Sequence, residues 1–148
     1  MLDARKLAAR LPAKDLERAR AWYAEKLGLH PAEERPGGLR YVIGGCEFAL
    51  FASAGASDGS FTQLGFEVAD LQTTVAELRR RGVVFEDYGE GPPSTPDRSP
   101  GQAGSGQGLH TEDGIATIDG NYPSKGKGEF AAWFRDCEGN MLGIGQPF

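Results

Sequence analysis

The feature that most constrains the fold of this chain is an internal repeat that covers nearly its whole length. Two stretches begin with D-L and continue as amphipathic helices. Asp15 and Asp70, which lie 55 positions apart, suit helix N-caps, and Gly28 and Gly82, which lie 54 positions apart, suit left-handed C-caps. Self-similarity at one spacing indicates that a single supersecondary unit has been used twice. The sequence therefore predicts two copies of one module.

Each copy has the pattern of a strand, a helix and a closing hairpin. Alternation with period two predicts the strands, and apolar residues at helical spacing predict the helices. Gly44-Gly45 and Glu138-Gly139-Asn140 supply the two hairpin turns. One further short strand is predicted at residues 115–118. The predicted elements are residues 6–11, 13–29, 40–45 and 46–51 in the first copy, and residues 62–68, 69–82, 83–88, 129–136 and 140–145 in the second.

Size and composition favour one globular domain over residues 1–148. A chain of 148 residues with 39% hydrophobic and 25% charged residues can bury a core of ordinary size. Module one is expected over 5–53 and module two over 61–148. Between 89 and 108, ten of twenty positions are Gly or Pro, which excludes regular structure there. This insertion is either disordered or a lid, and the sequence leaves both alternatives open.

The charge balance excludes some classes of partner. A formal net charge of -5 and a pI near 5.1 have the wrong sign for neutralising phosphates, so nucleic acid is not an expected partner. A membrane is not expected either, because no apolar run approaches the length of a transmembrane helix. The first residues lack a secretory signal, so the expected location is the cytoplasm. Cys46 and Cys137 lack the spacing of a disulfide framework and are expected to be reduced thiols.

The repeat, together with the segment F-R-D-C-E-G-N at 134–140, resembles the vicinal oxygen chelate superfamily. This group includes glyoxalase I, bleomycin-resistance proteins and extradiol dioxygenases, and its motif is F-x-D-P-x-G-N, with Cys137 here in place of proline. The resemblance implies an α+β fold of two βαβββ modules. Their strands would form a cup-shaped mixed sheet with the helices on its outer face. It also implies a small-molecule ligand and a homodimer.

The same resemblance implies where a metal ion would bind. In metal-dependent relatives, His, Gln or Glu side chains on the first and fourth strands of each module hold a divalent ion. The matching positions here are Ala8, Ala49, Gln63 and Gly143, and three of them have no ligating side chain. Glu47 would take the place of Ala49 if the register of the fourth strand slipped by two residues. The expectation is therefore no metal and no cofactor.

Strand alternation also predicts which side chains point into the cup. Small residues at the positions that match the metal ligands of relatives would leave space in the cup. Large aromatic side chains would give a bound small molecule apolar surfaces to contact. The inward charges would either form structural ion pairs or orient a polar ligand. The predicted ligand-binding residues are Arg10, Glu47, Phe51, Phe61, Gln63, Glu67, Glu129, Trp133 and Met141.

Three functions of different classes remain open at this stage. The favoured one is a metal-independent binding protein, similar to bleomycin-resistance proteins, for an aromatic or cationic drug or metabolite. The alternative is a metal-dependent lyase, isomerase or dioxygenase whose unusual ligand set combines Gln63 and Glu47 with His110 or Glu67. His30 is expected to be an exposed or capping residue. A third alternative is a structural or interaction protein whose cup is filled by its own side chains.

Overall fold

The structure is a computed structural model, and it describes residues 7–89, 110–119 and 126–148. The predicted Gly/Pro-rich insertion therefore lies outside the described residues, apart from Gly89. The chain divides into two compact units. The first consists of Met1–Asp58 with Asp136–Asn140, and the second of Gly59–Arg135 with Met141–Phe148.

The first unit contains a four-stranded sheet and one helix. Its elements are β1 (Ala9–Ala13), α1 (Leu16–Trp22) with a π-helical turn (Tyr23–Leu27), β2 (Glu33–Arg35), β3 (Gly38–Ile43) and β4 (Cys46–Ala52). The strand order of this sheet, here called sheet one, is β1-β4-β3-β2, with β1 parallel to β4 and the other pairs antiparallel. Gly44 and Gly45 both have positive φ, as the predicted hairpin turn requires.

Helix α1 begins and ends where the sequence predicts. The Asp15 side chain accepts a hydrogen bond from the Arg18 N–H at 2.9 Å, and Gly28 adopts φ 69° after the last helical residue. The helix packs on β3 and β4 and buries Ala19 and Tyr23 against the aromatic rings of that face. Burial of this apolar stripe, rather than intrinsic propensity, stabilises so short a helix.

The turn Asp136–Asn140 belongs to the first unit, although it joins the last two strands of the chain. The buried Asp136 carboxylate accepts hydrogen bonds from the backbone N–H groups of Glu138 and Asn140 at 2.8 and 2.9 Å. It also accepts from the Tyr23 hydroxyl at 2.9 Å. The Asn140 side chain donates to the Pro12 carbonyl at 3.1 Å. The conspicuous D-x-E-G-N segment is thus a hydrogen-bonded turn that holds α1 and β1.

The second unit repeats the topology of the first. Its elements are β5 (Leu64–Glu67), α2 (Leu71–Arg80), β6 (Ala116–Asp119), β7 (Gly128–Arg135) and β8 (Met141–Pro147). The order of sheet two is β5-β8-β7-β6, which matches β1-β4-β3-β2 strand for strand. Asp70 caps α2 through the Thr73 N–H at 2.9 Å, and Gly82 has φ 83° beyond its end.

The α+β class and the two βαβββ modules are confirmed by this topology. The sequence missed β2, because Glu33–Arg35 is a short charged edge strand with no apolar alternation. Residues 83–88, read as a possible strand, contribute only an isolated bridge between Phe85 and Phe134. No helix among residues 7–89, 110–119 and 126–148 is long and apolar enough to cross a membrane.

Candidate functional site

Cross-strand register shows which side chains share each face of sheet two. Phe134, Leu142 and Leu64 form one row on the face that α2 covers. Trp133, Gly143 and Gly65 form a row on the opposite face, here called the open face of sheet two. The predicted alternation is therefore right for this module, and its small residues lie side by side.

Trp133 occupies the space above one of these glycines. A Cβ atom added to Gly143 would lie 3.3 Å from both Cδ1 and Nε1 of the Trp133 indole and 3.3 Å from Cγ2 of Thr62. The same addition to Gly65 would meet nothing within 4 Å. Within the part of the chain that the structure describes, the open face therefore has a strip of uncovered backbone at Gly65, bordered by an indole that lies over Gly143.

Trp133 belongs to a small packed cluster of the second unit. Trp133 and Met141 are 5% and 2% exposed, and Tyr88 and Ile118 pack against them. The Tyr88 ring meets the indole edge to face, with centroids 5.8 Å apart. Its backbone N–H donates to the Thr111 hydroxyl at 2.9 Å, which anchors the backbone that carries the ring. Two predicted ligand-binding residues, Trp133 and Met141, are thus brought together, and Tyr88 is a member that sequence alternation missed.

Carboxylates border the same strip of glycines. A Cβ on Gly145 would meet Oε2 of Glu129 at 2.7 Å, so this carboxylate lies directly over the glycine backbone. Glu67 is the register partner of Gly145 and is exposed. The open face of sheet two therefore combines an indole, a bare strip of backbone and two acidic side chains.

The predicted residues Phe61 and Gln63 precede β5 instead of lying within it. Phe61 is 57% exposed. The Gln63 side-chain oxygen accepts a hydrogen bond from the Met141 N–H at 3.3 Å. That contact turns the amide oxygen toward backbone, away from the role of a metal ligand.

The predicted residues of module one share one face of sheet one. Register places Arg10, Ala49, Arg40 and Glu33 in a single cross-strand row, with Phe51 in the next row. We call this surface the open face of sheet one. Glu47 lies on it and pairs with Arg40 at 3.3 Å. An ion pair is one of the two roles that the sequence left open for Glu47, but its partner is an arginine that the sequence analysis missed. Period-two alternation through R-Y-V-I would have found Arg40, since Tyr41 points to the helix side.

The matched metal-ligand positions do not fit a metal ion. Ala8 and Ala49 carry no donor, the Gln63 oxygen is engaged with backbone, and the space for a side chain at Gly143 is filled by Trp133. Among residues 7–89, 110–119 and 126–148, no group of three or more His, Cys, Asp or Glu side chains could hold a metal ion.

His30, His110 and Cys137 lie outside the strands, and Cys46 is the first residue of β4. His30 is exposed after the π-helical turn, and His110 has Nδ1 3.1 Å from the Gly89 carbonyl oxygen. Cys46 is exposed and free, and Cys137 is partly buried and free. Burial, with Asp136 and Glu138 nearby, raises the pKa of the Cys137 thiol to about 11, which disfavours the reactive thiolate.

An open pocket of about 290 Å³ lies on the other face of sheet two, at the start of α2. Leu71, Ile115, Phe130 and Gln146 help to line it. None of the nine predicted ligand-binding residues takes part. The Leu71 N–H already donates to Gln146 Oε1 at 2.8 Å and the Asp70 carboxylate caps the helix, so the polar groups there serve the helix end.

Solved structures share this architecture. A glyoxalase/bleomycin resistance protein/dioxygenase from Alicyclobacillus acidocaldarius superposes with a TM-score of 0.60 at 16% identity, covering 96% of this chain and 90% of that one. The lactoylglutathione lyase from Agrobacterium tumefaciens gives 0.58 at 17% identity, covering 99% and 95%. TnmS3, an antibiotic-binding protein from Streptomyces sp. CB03234, gives 0.58 at 22% identity, covering 100% and 99%. At these identities the likeness shows the fold alone.

The comparison with curated proteins found no match. The sequence itself matches one family over residues 7–142, which is nearly the whole chain. That match confirms the resemblance drawn from the repeat and from the D-x-E-G-N turn. The chain belongs to the Glyoxalase/Bleomycin resistance protein/Dioxygenase superfamily.

Proposed function

We propose that this protein is a metal-independent binding module for an aromatic or cationic small molecule, which it binds on the open face of sheet two. The observation that carries the proposal is the Trp133 indole over Gly143. Where the resemblance would require a ligating side chain on the last strand, this chain supplies a glycine covered by an aromatic ring. An aromatic surface favours stacking and cation–π contacts over coordination of an ion.

The surroundings of Trp133 support a guest with a positive charge. Gly65 is exposed, and among the described residues no atom lies within 4 Å of a Cβ placed on it, so a flat ring would lie on this backbone at the edge of the largely buried indole. Glu67 and the Glu129 carboxylate border that strip. Charge complementarity would add to stacking, because a planar cation can contact the indole and lie near the carboxylates together.

The experiment uses tryptophan fluorescence, because the chain has two tryptophans. In the variant Trp22→Phe, Trp133 is the sole indole, and titration with N-methylquinolinium should change its emission saturably. Quinoline, which has the same ring system and is neutral at neutral pH, should bind about tenfold more weakly. Glu67→Gln and Glu129→Gln should weaken binding of the cation and leave binding of quinoline unchanged.

The alternatives give different results in the same assays. Saturable thermal stabilisation by Ni²⁺, Mn²⁺ or Zn²⁺, reversed by a chelator, would favour the metal-dependent lyase, isomerase or dioxygenase. Absence of binding by every aromatic probe, with Trp133 emission unchanged, would favour a structural protein whose open face is closed by its own cluster. The proposal also includes a homodimer, which light scattering coupled to size-exclusion chromatography would test. It places the protein in the cytoplasm, which fractionation of cells would test.

A further inference from the structure

The open face of sheet one carries a set of charges that the proposed function does not use. Among the described residues of β1 to β4, Arg10, Arg35 and Arg40 lie on it with two glutamates, Glu33 and Glu47. This face is therefore net positive, whereas the whole chain carries a formal net charge of -5. A local positive surface in an acidic protein attracts small anions rather than cations.

Two of these arginines flank one small residue. Ala49 is the register partner of Arg10 on β1 and of Arg40 on β3, so the three Cα atoms lie in one row across the sheet. Neighbouring strands are about 4.8 Å apart, which places the two arginine Cα atoms roughly 10 Å from each other. Side chains of that length can converge above the alanine, because its methyl side chain is small.

The donors of these arginines are only partly used. The Arg40 Nε–H donates a hydrogen bond to Glu33 Oε2 at 3.1 Å. Its Nη1 forms an ion pair with Glu47 Oε1 at 3.3 Å. Within the described ranges, its Nη2 has no hydrogen-bond or ion-pair partner, and neither has the exposed guanidinium of Arg10. Guanidinium groups match the two oxygens of a carboxylate because their N–H bonds form a planar fork. Donors without a partner among the described residues therefore remain on both sides of Ala49.

An apolar surface adjoins this pair. Phe51 lies two residues beyond Ala49 on the same face of β4 and is half-buried. A ring attached to a carboxylate would reach Phe51 while its acid group contacted the arginines. We propose that the open face of sheet one is a binding site for an aromatic carboxylate, with Arg10 and Arg40 holding the acid group and Phe51 contacting the ring. This site goes beyond the proposed function, because it lies on the other sheet and uses none of the residues around Trp133.

Benzoate is the probe, and benzamide is its neutral isostere. Titration of the ¹⁵N-labelled full chain should give saturable shifts of the Arg10, Arg40 and Ala49 amides with benzoate. Benzamide should bind at least about tenfold more weakly, because it lacks the charge that both guanidinium groups recognise. Equal binding of the two probes, or shifts scattered over the surface without saturation, would overturn the proposal.

Variants distinguish a specific binding site from non-specific attraction of an anion to a charged surface. Arg10→Gln and Arg40→Gln should each weaken benzoate about tenfold, and the matched control Arg80→Gln on α2 should leave it unchanged. Glu47→Gln should tighten benzoate by a factor of about three, because a competing carboxylate is removed from Arg40. A misfolded variant cannot bind more tightly, so weaker binding by Glu47→Gln would contradict the proposal outright. Trp133→Phe should not affect benzoate, which distinguishes failure of this site from failure of the proposed function.

Discussion

The Tyr23 hydroxyl donates a hydrogen bond of 2.9 Å to the Asp136 carboxylate, and both residues are buried although 113 positions separate them. The same carboxylate oxygen also accepts from the Asn140 side chain at 2.8 Å. Buried carboxylates need such donors, because an unsatisfied charge in the interior is costly. The contact explains why the turn Asp136–Asn140 belongs to the first compact unit.

Replacing Tyr23 should therefore destabilise the protein through this one bond. We expect Tyr23→Phe to lower the free energy of unfolding by about 1–2 kcal/mol, since the hydrogen bond has a charged acceptor. Chemical denaturation measures the change. Tyr41→Phe is the matched control: Tyr41 is equally buried, but within the described part of the chain its hydroxyl has no hydrogen-bond partner. That variant should be as stable as the parent or slightly more so, and equal losses in the two variants would refute the argument.

The tyrosines also predict how stability depends on alkaline pH. Burial and the neighbouring Asp136 raise the pKa of Tyr23 well above its ordinary value, and burial raises the pKa of Tyr41 to about 12. In the unfolded chain both phenols ionise near pH 10. A raised folded-state pKa contributes stability that is complete below about pH 10 and is lost as the pH rises through the folded-state value.

We therefore expect the free energy of unfolding to fall between about pH 10 and 12, and ultraviolet absorbance of phenolate to appear together with unfolding. The double variant Tyr23→Phe/Tyr41→Phe should flatten this fall. Tyr88 and Cys137, whose pKa values are also raised by burial, remain in both proteins and supply the residual slope. A parent and a double variant with the same alkaline slope would show that other groups control the transition.

The glycines of sheet two give a test of the indole position. Gly143→Ala should lower the free energy of unfolding by about 1 kcal/mol, because the new methyl group meets Trp133 and Thr62 at 3.3 Å in a packed region. Gly65→Ala should be neutral or mildly stabilising, since the same methyl group enters open space. Thermal and chemical unfolding of the pair measure the difference. Identical stabilities would mean that the indole does not occupy the space above Gly143.

The two thiols should differ in reactivity. Cys46 is exposed, whereas Cys137 is partly buried and its pKa is raised to about 11. We expect iodoacetamide to modify Cys137 at least about tenfold more slowly than Cys46 in the folded protein, because the thiolate is the reacting form. Peptide mapping over time follows both sites. In denaturant the rates should converge, and a fast Cys137 in the folded state would contradict its burial.

Much of the candidate site could be predicted from local patterns. Period-two alternation placed Arg10 with Glu47 and Phe51 on one face, and Trp133 with Glu129 and Met141 on another, because successive side chains of a strand point to opposite faces. Alternation could not show that Arg40 pairs with Glu47, nor that Tyr88 packs on Trp133. Each of those contacts joins residues from different strands or loops. Which residues meet there depends on the strand register and on the path of the loop.

The sequence by itself determined the repeat, the helix caps and the glycine turns, since a cap or a left-handed turn depends on a few neighbouring residues. It also determined that three of the four matched ligand positions lack donors. Only the tertiary structure decided that Trp133 covers Gly143, that Ala49 lies between Arg10 and Arg40, and that Asp136 receives the Tyr23 hydroxyl. These relationships depend on which strands become neighbours and how side chains pack, and such long-range choices are made by burial and register rather than by local sequence.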